Sequence, residues 1–440
     1  MKFRYILFIS LLGLLFACQP EIKDEFTYSS GNADFSTYVA VGNSLTAGYS
    51  NGALYHSSQA NSYPSIIAAQ MKKAGGGDFV QPVVNSEYGV LPGKLELGYK
   101  ADCLGNTSMG PVPAQGQPEG YDPVGYTVNN MGVPGAKSFH LLAPGYGNPA
   151  GVPVGLANPY FARFATADDA TVIGDAVAKN PTFFSLWIGN NDVLGYASSG
   201  GIGDTITGQQ SYAYYMNLIL QSLTSTGAKG VIANLPDISG APFFNTVPPN
   251  GYVLTRQGQA DTLNTFLGQY GFSYNVGPNY FIIADATAPL GFRQMVKGEL
   301  LLLTVPQDSL KCAYWGGFNP NIMAPVPIPD QYVLTLEEIA NVNDAIEGYN
   351  ATIAALAQQY DLALVDINSY FDEIKNGVIY DGVSFSTKYI TGNAFSLDGV
   401  HLTQQGYALV ANQFIMAING KFGANLPTVS VTNYKANDLP

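Results

Sequence analysis

Five short runs of this chain are apolar on both faces rather than at every second position: Tyr38–Val41, Tyr126–Val128, Thr182–Ile188, Gly230–Leu235 and Leu362–Ile367. A strand of that kind has to be covered on both sides, which is the situation of a parallel strand held between two layers of helices. Between the runs the apolar spacing changes to steps of three and four. Pro64–Ala74 ends in Lys72 and Lys73 with Gly75 behind them, a helix stop. Ser211–Ser225 has a similar pattern. Thr335–Tyr360 opens with Thr335 and Glu338 at capping-box spacing and carries one stripe through Ile339, Val342, Ile346, Tyr349, Ile353, Leu356 and Tyr360. A final helix runs through Tyr407, Val410, Ala411, Phe414, Ile415 and Ile418. This alternation predicts an α/β fold on a doubly wound parallel sheet.

Two stretches break the rhythm. Asn51–Tyr126 is rich in Gly, Pro and Tyr; Ser239–Asp330 is longer and holds the strand-like segments Tyr280–Asp285 and Glu299–Val305 among many prolines. Loops of this length in a compact domain are functional or form a subdomain, so both are expected to be insertions that wall a site. With 12% charged and 47% hydrophobic residues the chain is globular rather than disordered. Its net charge of −13, with the basic residues scattered, excludes a nucleic-acid footprint.

The N-terminus has Lys2 and Arg4, an apolar stretch from Ile6 to Phe16, then Ala17 and Cys18. That stretch is too short to span a bilayer and reads as a signal peptide over 1–17. The segment "LFAC" also resembles a bacterial lipobox, which implies lipidation of Cys18 and a polar tether over 18–36. The expected location is therefore an exported, membrane-anchored lipoprotein, on the outer membrane of a Gram-negative cell. Cys103 and Cys312 either pair across the fold or stay as two free buried thiols. Neither has CxxC spacing, and no metal site is expected.

In parallel α/β sheets ligands sit beyond the carboxyl ends of the strands. Ser44 leaves the first run through Gly42-Asn43-Ser44, where a reacting hydroxyl is useful. A serine needs a base, normally histidine. Three histidines exist. His56 and His140 lie in Gly- and Pro-rich loops and read as exposed loop histidines. His401 follows Asp398 by three residues at the entrance to the final helix, so one short turn lets the carboxylate orient the imidazole. Asn191, after the run Thr182–Ile188, is expected at the same sheet edge as Ser44, where its amide can donate to a developing oxyanion. Gly135 in "NMGVPG" lets a backbone N–H approach a substrate oxygen without a Cβ in the way.

With these blocks in view the chain resembles the SGNH, or GDSL-type, hydrolase family from about Tyr38 to Phe422. The blocks fall in family order: "GNSL" with Ser44, "NMGVPG" with Gly135, "GNND" with Asn191 and "DGVH" with Asp398 and His401. Each is weak alone, and their order is the specific signal. The resemblance implies the three-layer, flavodoxin-like form of the sheet as one domain over 37–435, with insertions at about 51–126 and 239–330. It implies Ser44 as nucleophile, His401 as base and then acid, and Asp398 as the orienting carboxylate. The Ser44 N–H, the Gly135 N–H and the Asn191 amide would form the oxyanion hole, each donor worth ~3 kcal/mol in the transition state. No cofactor is implied. The family usually has Asp before the serine; here it is Asn43, which removes a charge but can still hold the turn through its side chain.

The expected function is an exported serine ester hydrolase acting on lipid esters or acetylated carbohydrates. Tyr- and Phe-rich insertions suit stacking on sugar rings, and "APFFNTV" (Ala241–Val247) equally suits an apolar lid over an acyl chain. The rival expectation is a surface glycan-binding lipoprotein that keeps the fold without turnover.

Overall fold

The computed structural model describes residues 27–438. Its centre is a five-stranded parallel sheet: β1 (Tyr38–Gly42), β2 (Asn130–Gly132), β3 (Phe183–Trp187), β4 (Lys229–Ala233) and β5 (Ala363–Val365). The strand order is β5-β4-β3-β1-β2. Read from the other edge this is 2-1-3-4-5, the flavodoxin-like order, whose switch point lies between β1 and β3. Gly42 at the end of β1 pairs with Trp187 at the end of β3, so both strands deliver the chain to the same rim.

Helices cover the sheet: α1 (Ser44–Ala47), α2 (Tyr63–Lys73), α3 (Asn191–Ser198), α4 (Gln209–Thr224), α5 (Leu336–Gln359), α6 (Ile367–Asn376) and α7 (Gln404–Phe422), of which α2, α4, α5 and α7 lie where the apolar spacing predicts helices. α2 packs on α7, with the Tyr63 and Phe414 rings stacked at 4.7 Å. α4 packs on α5, with Tyr212 and Tyr349 stacked at 4.0 Å. The capping box at the start of α5 is formed: Thr335 Oγ1 accepts from the Glu338 N–H and Glu338 Oε2 accepts from the Thr335 N–H.

Several expectations need correcting. The second strand is Asn130–Gly132, not Tyr126–Val128. β2 is hidden in the sequence because Asn130 is polar, yet it is 1% exposed. Its amide donates to the Thr46 carbonyl and to Gln81 Oε1, which meets the cost of burial. The fifth run stops at Val365 because Asp366 turns to cap α6, accepting from the Ser369 N–H at 3.1 Å. α2 belongs to the sheet-covering layer, so the stretch 51–126 is not one insertion. Its added part is the hairpin of Leu95–Ala101 and Thr107–Pro113 and the coil around it.

Residues 18–36 were expected to be tether. The part from Ser29 on is docked instead: the Asn32 N–H donates to the Phe422 carbonyl, and Ala33 and Phe35 are buried. The expected signal peptide and Cys18 lie outside the described residues.

The second insertion is a subdomain with small cores of its own, one around Phe281, Ile283 and Leu301 and another around Leu254, Leu263 and Tyr274. Arg293 ties it internally, bridging Asp285 and the buried Glu299 at 2.6 Å each. A disulfide joins Cys103 at the hairpin tip to Cys312 in the subdomain, with their Cα atoms 6.5 Å apart. Beside it Lys311 pairs with Asp102.

Candidate active site

β1 ends at Gly42 because nothing larger fits there: a Cβ would strike the Thr46 hydroxyl and the Trp187 carbonyl. The chain then turns into the single helical turn α1. Asn43 is buried and holds that turn, its Oδ1 accepting from the Leu45 N–H at 3.0 Å. The amide therefore does the positioning that the missing carboxylate would share. Ser44 is the first residue of α1, so its N–H has no partner within the helix.

The loop before α7 brings Asp398 and His401 to Ser44. His401 Nε2 lies 2.8 Å from Ser44 Oγ, and His401 Nδ1 lies 3.0 Å from Asp398 Oδ2. A carboxylate only accepts, so Nδ1 carries the proton and Nε2 is left to accept from the serine hydroxyl. Asp398 accepts three further hydrogen bonds, from the N–H groups of Val400, His401 and Gly52 at 2.8–2.9 Å. Burial alone would raise its carboxyl. The charge and hydrogen bonds of His401, with the Val400 N–H, outweigh burial and hold it well below the usual carboxylate range.

The Gly52 contact was not anticipated from the sequence, and it is one of a set. The Asn51 N–H donates to Ser396 Oγ, Asn51 Oδ1 accepts from the Leu397 N–H, and Ser50 Oγ donates to the Leu402 carbonyl. The Tyr49 ring lies 4.6 Å from the His401 ring, and its carbonyl accepts from the Tyr407 hydroxyl. Residues 49–52 thus bolt the serine turn to the loop of Asp398 and His401 across some 350 positions of sequence.

Gly135 lies in the loop after β2 with φ +80°, a left-handed backbone that favours glycine. Its N–H donates to no protein group among the described residues. Asn191, the first residue of α3, donates one amide proton to the Ala136 carbonyl at 2.9 Å, which fixes the amide and leaves the second proton free. The next residue, Asp192, is fully buried and was not singled out beforehand. It accepts from the Ser138 N–H and hydroxyl at 2.8 and 2.7 Å. Burial raises its carboxyl, and the Ser138 hydrogen bonds oppose that. The bonds Asp192–Ser138 and Asn191–Ala136 lock the Gly135 loop to α3.

His56 is exposed as expected, with Nδ1 3.0 Å from the Val84 carbonyl oxygen. His140 is not an exposed loop histidine. It is half-buried, stacks on Tyr146 at 4.5 Å, and burial pulls its pKa down to about 4.

Ser44 and His401 open into a cleft that also takes in Asn43, Asn190 and Asn191. The rest of its wall is aliphatic, proline or aromatic, with Phe371 and Ile374 from α6 and Ala241 and Phe244 from the second insertion. The first insertion does not line this cleft; it sits behind the Asp398 loop, around a separate polar groove. The arrangement can deliver an activated hydroxyl to a carbonyl carbon beside unpaired N–H donors, with an apolar slot adjoining.

Residues 38–414 match the family model of the GDSL-like lipase/acylhydrolases. No curated protein matches the sequence. Among solved structures the chain is similar to a putative GDSL-like lipase from Parabacteroides merdae, at 12% identity and TM-score 0.35, over 89% of this chain and 99% of that one. A lipase/acylhydrolase from Enterococcus faecalis aligns at 11% identity and TM-score 0.34, over 89% and 99%. A mutant acetyl-xylooligosaccharide esterase from Geobacillus aligns at 11% and 0.36, over 88% and 96%. The family match, which spans most of the sequence, is the finding that identifies it: the chain belongs to the GDSL-like lipase/acylhydrolase family and is a carboxylic ester hydrolase.

Proposed function

We propose that the protein cleaves esters of apolar acyl groups through a covalent acyl-enzyme on Ser44. Ser44 Oγ attacks the ester carbonyl while His401 Nε2 takes its proton, and Asp398 stabilises the imidazolium that forms. The tetrahedral oxyanion is held by the Ser44 and Gly135 N–H groups and the free proton of the Asn191 amide. Collapse expels the alcohol, which takes the proton from His401. Water then repeats the sequence on the acyl-enzyme and releases the acid. The observation that carries the acyl preference is the cleft wall, apolar from Leu194 and Ile238 to Phe371 and Ile374. Burying a methylene there contributes up to ~0.8 kcal/mol.

A 4-nitrophenyl ester series from acetate to palmitate tests this reading. We expect kcat/KM to rise at least ~10-fold between acetate and octanoate, since only a few buried methylenes are needed for that gain. A maximum at acetate would overturn the acyl preference in favour of acetylated carbohydrates. No turnover across the series would favour the glycan-binding alternative.

We further infer export and lipid anchoring at Cys18. The reading rests on the residue pattern of positions 2–18 and is supported by the Cys103–Cys312 disulfide, a bond that persists in oxidising compartments. Cys18→Ser is expected to move the protein from the membrane fraction to the soluble fraction of fractionated cells. An unchanged distribution would count against the anchor.

A further inference from the structure

Asn190 stands out in the cleft wall. It occupies the N-cap position of α3, where asparagine ordinarily turns its side chain back to accept from the first turn. Here it does not. Its backbone is already helical, at φ −56° and ψ −42°, and no cap bond is made by its side chain. The carbonyl alone serves the helix, accepting from the Val193 and Leu194 N–H groups. The side chain lines the cleft instead, in a residue only 6% exposed, and neither its nitrogen nor its oxygen has a hydrogen-bond partner.

A buried polar group left unpaired costs ~1–3 kcal/mol. An apolar residue at this position would avoid that cost in a wall that is mostly apolar. The amide's two neighbours in sequence are accounted for: Gly189 is required by its φ of +124°, and Asn191 is held by Ala136. Asn190 is the amide in the cleft whose nitrogen and oxygen both lack a partner among the described residues. We propose that Asn190 is a specificity-determining residue that hydrogen-bonds a hydroxyl on the acyl chain near the ester carbonyl, so that hydroxyacyl esters are the preferred substrates. A hydroxyl is the smallest substituent that can accept from the amide nitrogen or donate to the amide oxygen. Asn190 lines the same cleft as Ser44 and Asn191, which puts the hydroxyl it would meet on the acyl chain bound there. Asn191 is the residue assigned to the oxyanion, so the hydroxyl to test is one close to the carbonyl, on the second or third acyl carbon. The inference rests on the acyl-enzyme reading and adds a substituent to the apolar acyl group proposed there.

The test compares 4-nitrophenyl 3-hydroxyoctanoate with 4-nitrophenyl octanoate, each rate normalised to hydrolysis by hydroxide. The wild-type protein is expected to favour the hydroxyacyl ester at least ~10-fold in kcat/KM, and Asn190→Leu to bring that ratio to one or below. A purely structural role for Asn190, such as holding a buried water, would slow both esters by the same factor and leave the ratio unchanged; that result overturns the proposal. So does a wild-type ratio of one, which needs no variant and separates this inference from the acyl-enzyme reading, since octanoate is still turned over. If Asn190→Leu fails to fold, as judged by circular dichroism, Asn190→Ala takes its place under the same criterion. Failure of the wild-type protein on both esters removes the acyl-enzyme reading and this inference with it.

Discussion

Ser44→Ala is expected to lower kcat by ~10⁵–10⁶-fold while leaving the fold in place. On the proposed mechanism Ser44 is the nucleophile of a serine triad, and its removal costs that much because base, orienting carboxylate and oxyanion donors act as a unit, and none of them replaces the lost oxygen. The structural cost is small by comparison. Ser44 is 7% exposed and its side chain makes one hydrogen bond, to His401, so loss of the hydroxyl removes ~1 kcal/mol of stability. Asn43 still holds the turn through the Leu45 N–H. Two measurements separate chemistry from folding. A fluorophosphonate probe should add its mass to the peptide containing Ser44 in the wild-type protein and to nothing in the variant, and thermal unfolding should shift by only a few degrees. Turnover above 1% of wild type in the variant would place the nucleophile elsewhere.

What made the site readable in sequence is the shortness of its local pieces. Asp398 and His401 are three residues apart in one turn, and Ser44 follows a strand by two residues, so each piece declares itself within a few positions. The supports that hold the pieces together do not. The Gly52 N–H on Asp398 and the Asp192 carboxylate on Ser138 join segments that no spacing rule connects. The same division runs through the fold. β3 and β4 are legible because hydrophobic burial acts on each residue separately. β2 is not, because Asn130 is buried only by virtue of amide bonds to Thr46 and Gln81 that the folded chain supplies. α6 provides Phe371 and Ile374 to the cleft, and the apolar run Leu362–Ile367 ends on its first residue. The capping oxygen of Asp366 is the signal that separates strand from helix there.

The second large effect is expected from Asp398→Asn, a change of one atom. The carboxylate accepts four hydrogen bonds, two on each oxygen: Val400 N–H and His401 N–H on Oδ1, Gly52 N–H and His401 Nδ1–H on Oδ2. An amide has one oxygen, so two of these donors must face an NH₂ group. If the oxygen keeps the pair from Val400 and His401, the NH₂ confronts Gly52 and the imidazole. The ring then shifts its proton to Nε2, where it points at Ser44 and can no longer receive the serine proton. A fall in kcat of ~10⁴-fold at neutral pH follows from that tautomer alone, together with ~2 kcal/mol of stability for the orphaned N–H. The pH dependence carries its own sign. Because the folded carboxyl is held below its unfolded value, its ionised form contributes stability that is complete above ~pH 4 and is lost as pH falls through the folded pKa. The asparagine variant lacks that contribution at every pH. The stability difference between wild type and Asp398→Asn should therefore shrink as pH falls below about 5, as read from urea unfolding at each pH. A difference that stays flat down to pH 2 would mean that Asp398 is not the carboxylate held ionised by His401 and its neighbours, and the orienting role assigned to it would have to pass to another group.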